Sequence, residues 1–203
     1  MQTMFQIKAP KYGNNDDEID EIGRKVMETW CKECWKYKTP NDFQFRPGML
    51  SWSYWAGSDA SKCVATPNGR NSGAFLSNAI CPSTGAANSG PTAVTNSVGK
   101  VVGEKTEDNK YVNYLPNGTS HTITFNPSIF FRDKEHKEKF KAYLCGYVEN
   151  GGTSLQINMV STDMLRDAQK NPEDYKELLV RVTGYARNWK SLNPISIRSS
   201  ISF

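Results

Sequence analysis

No run of 18 apolar residues occurs in this 203-residue sequence, so no segment is predicted to cross a membrane as a helix. The opening residues, Met1-Gln2-Thr3-Met4-Phe5-Gln6, lack the basic stretch and apolar core of a secretion signal, which predicts a soluble protein of the cytoplasm. No strong surplus of one charge exists either: 25 Lys and Arg stand against 21 Asp and Glu, a formal net charge of +4. The sharp basic stripe of a nucleic-acid binder is missing, and no nucleic-acid partner is expected. There is no Gly-x-Gly-x-x-Gly after a strand and no Gly-Lys-Ser/Thr phosphate loop, which argues against dinucleotide and nucleoside-triphosphate enzymes. A hydrophobic content of 37% and a mean hydropathy of -0.62 are low for a chain that buries its own core. The 11% of aromatic residues is nevertheless too high for a disordered chain.

Cysteine is present in an odd number, five, without the secretion signal that would accompany disulfides. Cys31-x-x-Cys34 offers half a zinc site, whereas a structural zinc takes about four ligands. Cys63, Cys81 and Cys145 stand alone in the sequence, and His121 and His136 have no partner at ligand spacing. A redox pair wants its first cysteine at a helix N-terminus, and this pair comes late in a helical pattern. The reading is no metal and five buried or half-buried structural thiols.

What is present divides by composition. Residues 1–13 read as an extended lead. Asn14-Asn15-Asp16-Asp17-Glu18 then supply caps and an acidic first turn for a helix over 15–37, with Ile19, Ile22, Val26, Met27, Trp30 and Cys34 at helical spacing. Residues 38–100 read as a long loop region, rich in Gly, Ser, Asn and Thr yet punctuated by aromatic and apolar residues that a linker does not need. Residues 101–131 read as short strands or a hairpin around Pro116-Asn117-Gly118, with Tyr111-Val112 and Thr122-Ile123-Thr124-Phe125 on either side. A helix follows over 132–147, then a strand over Thr153–Val160 and helical segments near 162–169 and 172–178.

The next run is Val180-Arg181-Val182-Thr183-Gly184-Tyr185. On its own, Gly184 is a turn glycine at a strand end. Arg181-Val182-Thr183-Gly184-Tyr185, however, resembles the C-terminal signature of the glycyl radical enzymes. So do Gly151-Gly152-Thr153-Ser154-Leu155-Gln156-Ile157-Asn158 and Ala168-Gln169-Lys170-Asn171-Pro172-Glu173-Asp174-Tyr175 before it. Ala9-Pro10-Lys11-Tyr12-Gly13-Asn14, Ala65-Thr66-Pro67-Asn68-Gly69-Arg70 and Gly90-Pro91-Thr92-Ala93-Val94-Thr95-Asn96-Ser97-Val98 resemble the family's earlier segments, in the family's order. The chemistry agrees with the resemblance. A radical on a backbone α-carbon is stabilised by the flanking amide and carbonyl when the centre is planar, and only glycine lacks the Cβ that crowds planarity.

The resemblance implies an α/β fold: the C-terminal part of a glycyl radical enzyme barrel over residues 1–130, and a glycyl radical domain with a buried radical loop over 131–203. It implies that Gly184 stores the radical, with Arg181, Val182, Thr183 and Tyr185 around it. Gln156 and Asn158, on the polar side of the preceding strand, are expected to bond the loop's backbone, which cannot be buried unpaired. No bound cofactor is implied. A radical S-adenosylmethionine activating enzyme with a [4Fe-4S] cluster is expected to install the radical. It would then pass to a cysteine on a larger subunit, or on sequence N-terminal to this chain, within an oligomer. Cys31-Lys32-Glu33 matches the family's Gly-Cys-x-Glu context only in part, since Trp30 precedes it. Ser154 stands where the family has His, and the ending from Asn193 to Phe203 departs from the family's tail. Two other roles fit the same residues: a repair protein replacing a damaged radical domain, and a non-catalytic binding module built on the aromatic run at 43–55.

Overall fold

The computed structural model describes residues 4–50, 62–74, 76–108, 111–113, 115, 117–130, 132–181 and 186–188. Helix α1, Asp17–Cys34, starts where the Asp16 carboxylate accepts from the backbone N–H groups of Glu18 and Ile19 at 3.1 and 3.3 Å. Asp17, Glu18 and Asp20 place negative charge against its first turn. It is three residues shorter at its C-terminus than the 15–37 expected, because Lys36 and Tyr37 bond back by three residues, to Glu33 and Cys34, and tighten the last turn. The extended lead is also corrected: Met4–Lys8 form a π-helical turn, closed by Ala9 N–H donating to Met4 O at 2.8 Å. The Lys11 ammonium donates to Phe5 O, and Gln6 fills the space beside Gly69, so side chains rather than local propensity set this turn.

The expected loop over 38–100 ends in a helix, α2, Pro91–Val102. Pro91 at its first position is compatible with an amide that has no helical partner. Its residues are small, and seven of them are buried, from Val94 to Val102. Low hydrophobicity here reflects close approach. A Cβ on Gly99 would lie 2.6 Å from Asn150 O, and one on Gly23 of α1 would lie 2.9 Å from Val101 Cγ2. Met27, Cys31, Ile80, Val94, Val98, Val101, Val102 and Leu115 form the core, with Tyr12 and Met49 against it. Each fully buried Val contributes about 1.5–3 kcal/mol. Beneath this contact Asp20 is 1% exposed and accepts from Ser97 Oγ at 2.9 Å, with Lys100 Nζ at 3.7 Å.

Strands β1, Gly103–Lys105, and β2, Tyr111–Asn113, pair antiparallel. Of the two readings for 101–131, short strands are found, and among the described residues β2 does not pair with the strand that follows residues 116–118. Strand β3, Ser120–Phe125, instead pairs in parallel with β4, Ser154–Met159, with Ser120 opposite Ser154 and Phe125 opposite Met159. The crossover contains α3, Pro127–Phe130, and α4, Lys134–Glu149, so this is a βαβ unit. Phe125 meets Phe140 and Tyr143 of α4 edge-on, with centroids 6.0 and 5.4 Å apart. Helix α5, Thr162–Lys170, is capped by Ser161 and buries Leu165 and Ala168; a 3-10 turn, Pro172–Tyr175, replaces the longer helix expected to residue 178. Strands β5, Leu179–Arg181, and β6, Ala186–Asn188, then pair antiparallel. The fold is mixed helix and strand, and no described helix is long and apolar enough to cross a membrane.

Candidate functional site

Strands β5 and β6 bracket the radical signature. Their register sets Arg181 opposite Ala186, so the chain between them is Val182-Thr183-Gly184-Tyr185. These four residues lie outside the described residues; Arg181 is described as the last position of β5.

Gln156 and Asn158 occupy alternate positions of β4 and so share one face of the strand. Asn158 is buried, 8% exposed, and Gln156 is half-buried, so neither has the exposure of an ordinary surface polar residue. Their backbone groups turn toward β3, as the Ser154 N–H to Thr119 O bond at 3.1 Å requires of the even-numbered residues in this ladder. Gly151 and Gly152 make the turn into β4. Gly151 has a φ of 77°, and a Cβ on Gly152 would enter the Tyr147 ring, with Cδ1 2.6 Å away.

Behind β3 lies a cluster that no spacing in the sequence announces. Cys81 and His121, read as unpartnered, meet across 40 residues, with Sγ 3.5 Å from Nδ1. The Thr122 N–H donates to the same sulfur at 3.2 Å, so Cys81 closes part of the outer edge of β3. His121 stacks on Tyr147, centroids 6.1 Å apart, and the Tyr147 hydroxyl donates to Ser154 O at 3.0 Å. Tyr12, from the matched segment near the N-terminus, donates to Ile80 O at 3.1 Å. Burial pulls the His121 imidazole down to about 4 and pushes the Cys81 thiol, Tyr12 and Tyr147 up, so all four are neutral at physiological pH. The cluster is an uncharged wall between the N-terminal segments and the βαβ unit. His136, also read as unpartnered, bonds Asp133 Oδ1 at 2.7 Å on the surface.

The remaining cysteines are less uniform than expected. All five are free thiols; Cys31 is buried, Cys34, Cys63 and Cys81 are half-buried, and Cys145 is exposed on α4. Burial drives Cys31 up to about 11. Among the described residues no three His, Cys, Asp or Glu side chains converge as metal ligands.

Residues 76–190 match the family model described as glycine radical, and residues 1–56 match the one described as pyruvate formate lyase-like. Among curated proteins, the chain is 31% identical over 195 residues to the probable dehydratase YbiW of Escherichia coli, covering 92% of this chain and 22% of that protein. It is 31% identical over 200 residues to the formate acetyltransferase of Haemophilus influenzae, covering 93% of this chain and 24% of the relative. Among solved structures, the glycerol-bound B12-independent glycerol dehydratase of Clostridium butyricum superposes with a TM-score of 0.86 at 33% identity, over 99% of this chain and 24% of that one. The chain thus spans about a quarter of the length of the proteins it matches. With the glycine radical match covering more than half of its residues, and relatives in sequence and structure that share its fold, the chain belongs to the glycyl radical enzyme family.

Proposed function

We propose that this chain is the radical-bearing part of a glycyl radical enzyme, with Gly184 as the radical residue. The observation that carries the reading is the family match across residues 76–190, which spans Gly184 within Arg181-Val182-Thr183-Gly184-Tyr185. A radical S-adenosylmethionine activase breaks the Gly184 Cα–H bond homolytically and takes the hydrogen atom. In turnover Gly184 recovers a hydrogen atom from a cysteine S–H, and the resulting thiyl abstracts hydrogen from the substrate. This cysteine is assigned to a larger companion polypeptide or to sequence N-terminal to these residues, because none of Cys31, Cys34, Cys63, Cys81 and Cys145 follows a glycine as the family's Gly-Cys-x-Glu context requires.

The companion is supported by the surface of α1. Ile22, Val26 and Trp30 follow one another at i, i+4 and i+8 and are 55%, 63% and 54% exposed, an apolar stripe flanking the face that packs on α2. The match of residues 1–56 favours a subunit contributing to the barrel over a repair protein made of the radical domain alone. Residues 1–130 are accordingly assigned to the barrel region and 131–203 to the radical domain. Dehydration, the cleavage of a C–O bond, is the favoured reaction, since both the Escherichia coli relative and the Clostridium butyricum structure are described as dehydratases.

After anaerobic activation, electron paramagnetic resonance shows a glycyl doublet that disappears in Gly184→Ala. Air then cuts the activated chain at Gly184, because dioxygen adds to the carbon radical and the peroxyl breaks the backbone there; the intact mass locates the break. A doublet surviving in Gly184→Ala, or cleavage at Gly151 or Gly152, refutes the assignment.

A further inference from the structure

A cavity of about 860 Å³ opens between two segments far apart in sequence, residues 5–12 and residues 68–86. Its walls are pinned together. The Tyr12 hydroxyl donates to Ile80 O at 3.1 Å, Asn14 Nδ2 donates to Ala86 O at 2.8 Å, and a Cβ on Gly13 would lie 2.4 Å from Pro82 Cγ. Two cations line the cavity, Lys11 and Arg70, both half-buried, and none of its described lining residues is acidic. Neither cation has a carboxylate partner among the described residues. Lys11 Nζ donates to Phe5 O, whereas Arg70 donates through Nη1 to Asn71 O and Ala74 O and through Nη2 to Val64 O. A guanidinium carries five N–H groups, so Arg70 keeps its Nε–H and one Nη2–H. These sit on adjacent nitrogens, the kind of pair that takes an oxyanion through two hydrogen bonds. Outside the described residues the sequence holds a single acid, Asp59.

We propose that this cavity binds a small polar molecule through an oxyanion, a carboxylate or a phosphate, held by Lys11 and Arg70. Half-buried charge without a counter-charge is costly, and an anionic ligand removes that cost. The volume falls within the roughly 300–1,000 Å³ of small-molecule sites, so the cavity takes the anionic group together with the skeleton that carries it. Ser83 and Thr84 line the same space with hydroxyls, which suits a hydroxylated skeleton. Tyr12 and Cys81 line it as well. Burial keeps both of them neutral at physiological pH, so they present no negative charge to repel the ligand.

The test is calorimetric titration of the full, unactivated chain with glycerate, glycerol 3-phosphate and glycerol, which share a hydroxylated skeleton and differ in carrying a carboxylate, a phosphate or no charge. At least one of the two anions binds about tenfold or more tighter than glycerol, and the tighter one identifies the anionic group. The same ligand shifts the Arg70 Nε–H signal in nuclear magnetic resonance, and its affinity falls as salt rises. Lys11→Gln keeps a donor for Phe5 O but loses the charge, and it weakens anion binding by about tenfold or more. Lys139→Gln removes the same charge from the surface of α4 and leaves binding within about twofold. Arg70→Lys keeps the charge and loses the paired donors, so it also weakens binding; an unshifted Thr122 amide signal checks that the fold survives. Equal affinity for the anions and glycerol, or anion binding that survives Lys11→Gln and Arg70→Lys together, overturns the proposal. Binding that appears only in Asp59→Asn also overturns it, because the cations are then already paired. Since the protein is not activated, the outcome stands apart from the Gly184 assignment.

Discussion

Gly152→Ala tests the packing that holds β4 in place. Gly152 has no need of a left-handed backbone, so the substitution acts through space alone. The added Cβ would meet Tyr147 at Cε1, Cζ and Cδ1, the last at 2.6 Å, against the roughly 3.5–4 Å at which carbon atoms rest. The ring is 3% exposed and stacked on His121, so it cannot retreat by an ångström without disturbing β3 or α4. Overpacking of this kind costs about 1–3 kcal/mol. Loss of the Tyr147 hydroxyl bond to Ser154 O adds about 1 kcal/mol. A total of about 2–4 kcal/mol, at about 2 kcal/mol per molar urea, lowers the unfolding midpoint by about 1–2 M. The assay is urea unfolding followed by far-ultraviolet circular dichroism. Gly146→Ala, on the same helix with nothing within 4 Å of its Cβ, should instead gain about 1 kcal/mol of helix propensity. Repeating Gly152→Ala in a Tyr147→Phe background isolates the steric share, since the ring remains and the hydroxyl is gone. A Gly152→Ala midpoint within about 0.2 M of the parent, or one as high as that of Gly146→Ala, refutes the reasoning.

Asp20 supplies a pH dependence. Its carboxyl is raised by burial against the opposing pull of Ser97 and Lys100, so in the window above its ordinary value of 3.8 the folded state binds more proton than the unfolded state. Stability from this group therefore falls as pH rises through the folded value, and the margin of Asp20→Asn over the parent is widest at neutral pH and shrinks on acidification; a margin that grows on acidification refutes the assignment. Cys81→Ala leaves the Thr122 N–H without its sulfur acceptor, which costs about 1–3 kcal/mol, while Cys81→Ser restores part of it. Unchanged amide exchange at Thr122 in Cys81→Ala would show that the sulfur does not close the β3 edge.

Much of this arrangement was legible because apolar spacing and caps agree: Asp16 before α1 and Phe140, Tyr143 and Tyr147 along α4 all behave as their positions indicate. The β4 strand forms where its alternation of residue types indicates, although its polar Asn158 is the most buried position. Helix α2 was hidden because its buried face is made of Val, Ser, Thr and Gly, whose small size permits close contact with α1 and α4 but mimics a linker in composition. The pairing of β3 was hidden for another reason. A turn-like Asn117-Gly118 suggests a local hairpin, whereas the parallel partner lies beyond a helix and leaves no local trace. Cys81 and His121 escaped because a spatial pair 40 residues apart has no spacing rule. Gly184 was legible only through the blocks around it, since a lone glycine after a strand carries no chemistry of its own.

The contact between α1 and α2 also sets a timetable for synthesis. Met27 and Cys31 are buried by a helix that begins at Pro91, and Asn14 accepts from the backbone N–H groups of Asn88 and Ser89. On a ribosome adding about 5–20 residues each second, roughly 70 residues separate these partners, so α1 waits on the order of 4–14 s for its cover. Both of its apolar faces stand open during that interval, the inner one with Met27 and Cys31 and the outer one with Ile22, Val26 and Trp30. Slowing translation between α1 and α2 should therefore raise the demand for chaperones more than an equal pause after Val102, when the inner face is already closed.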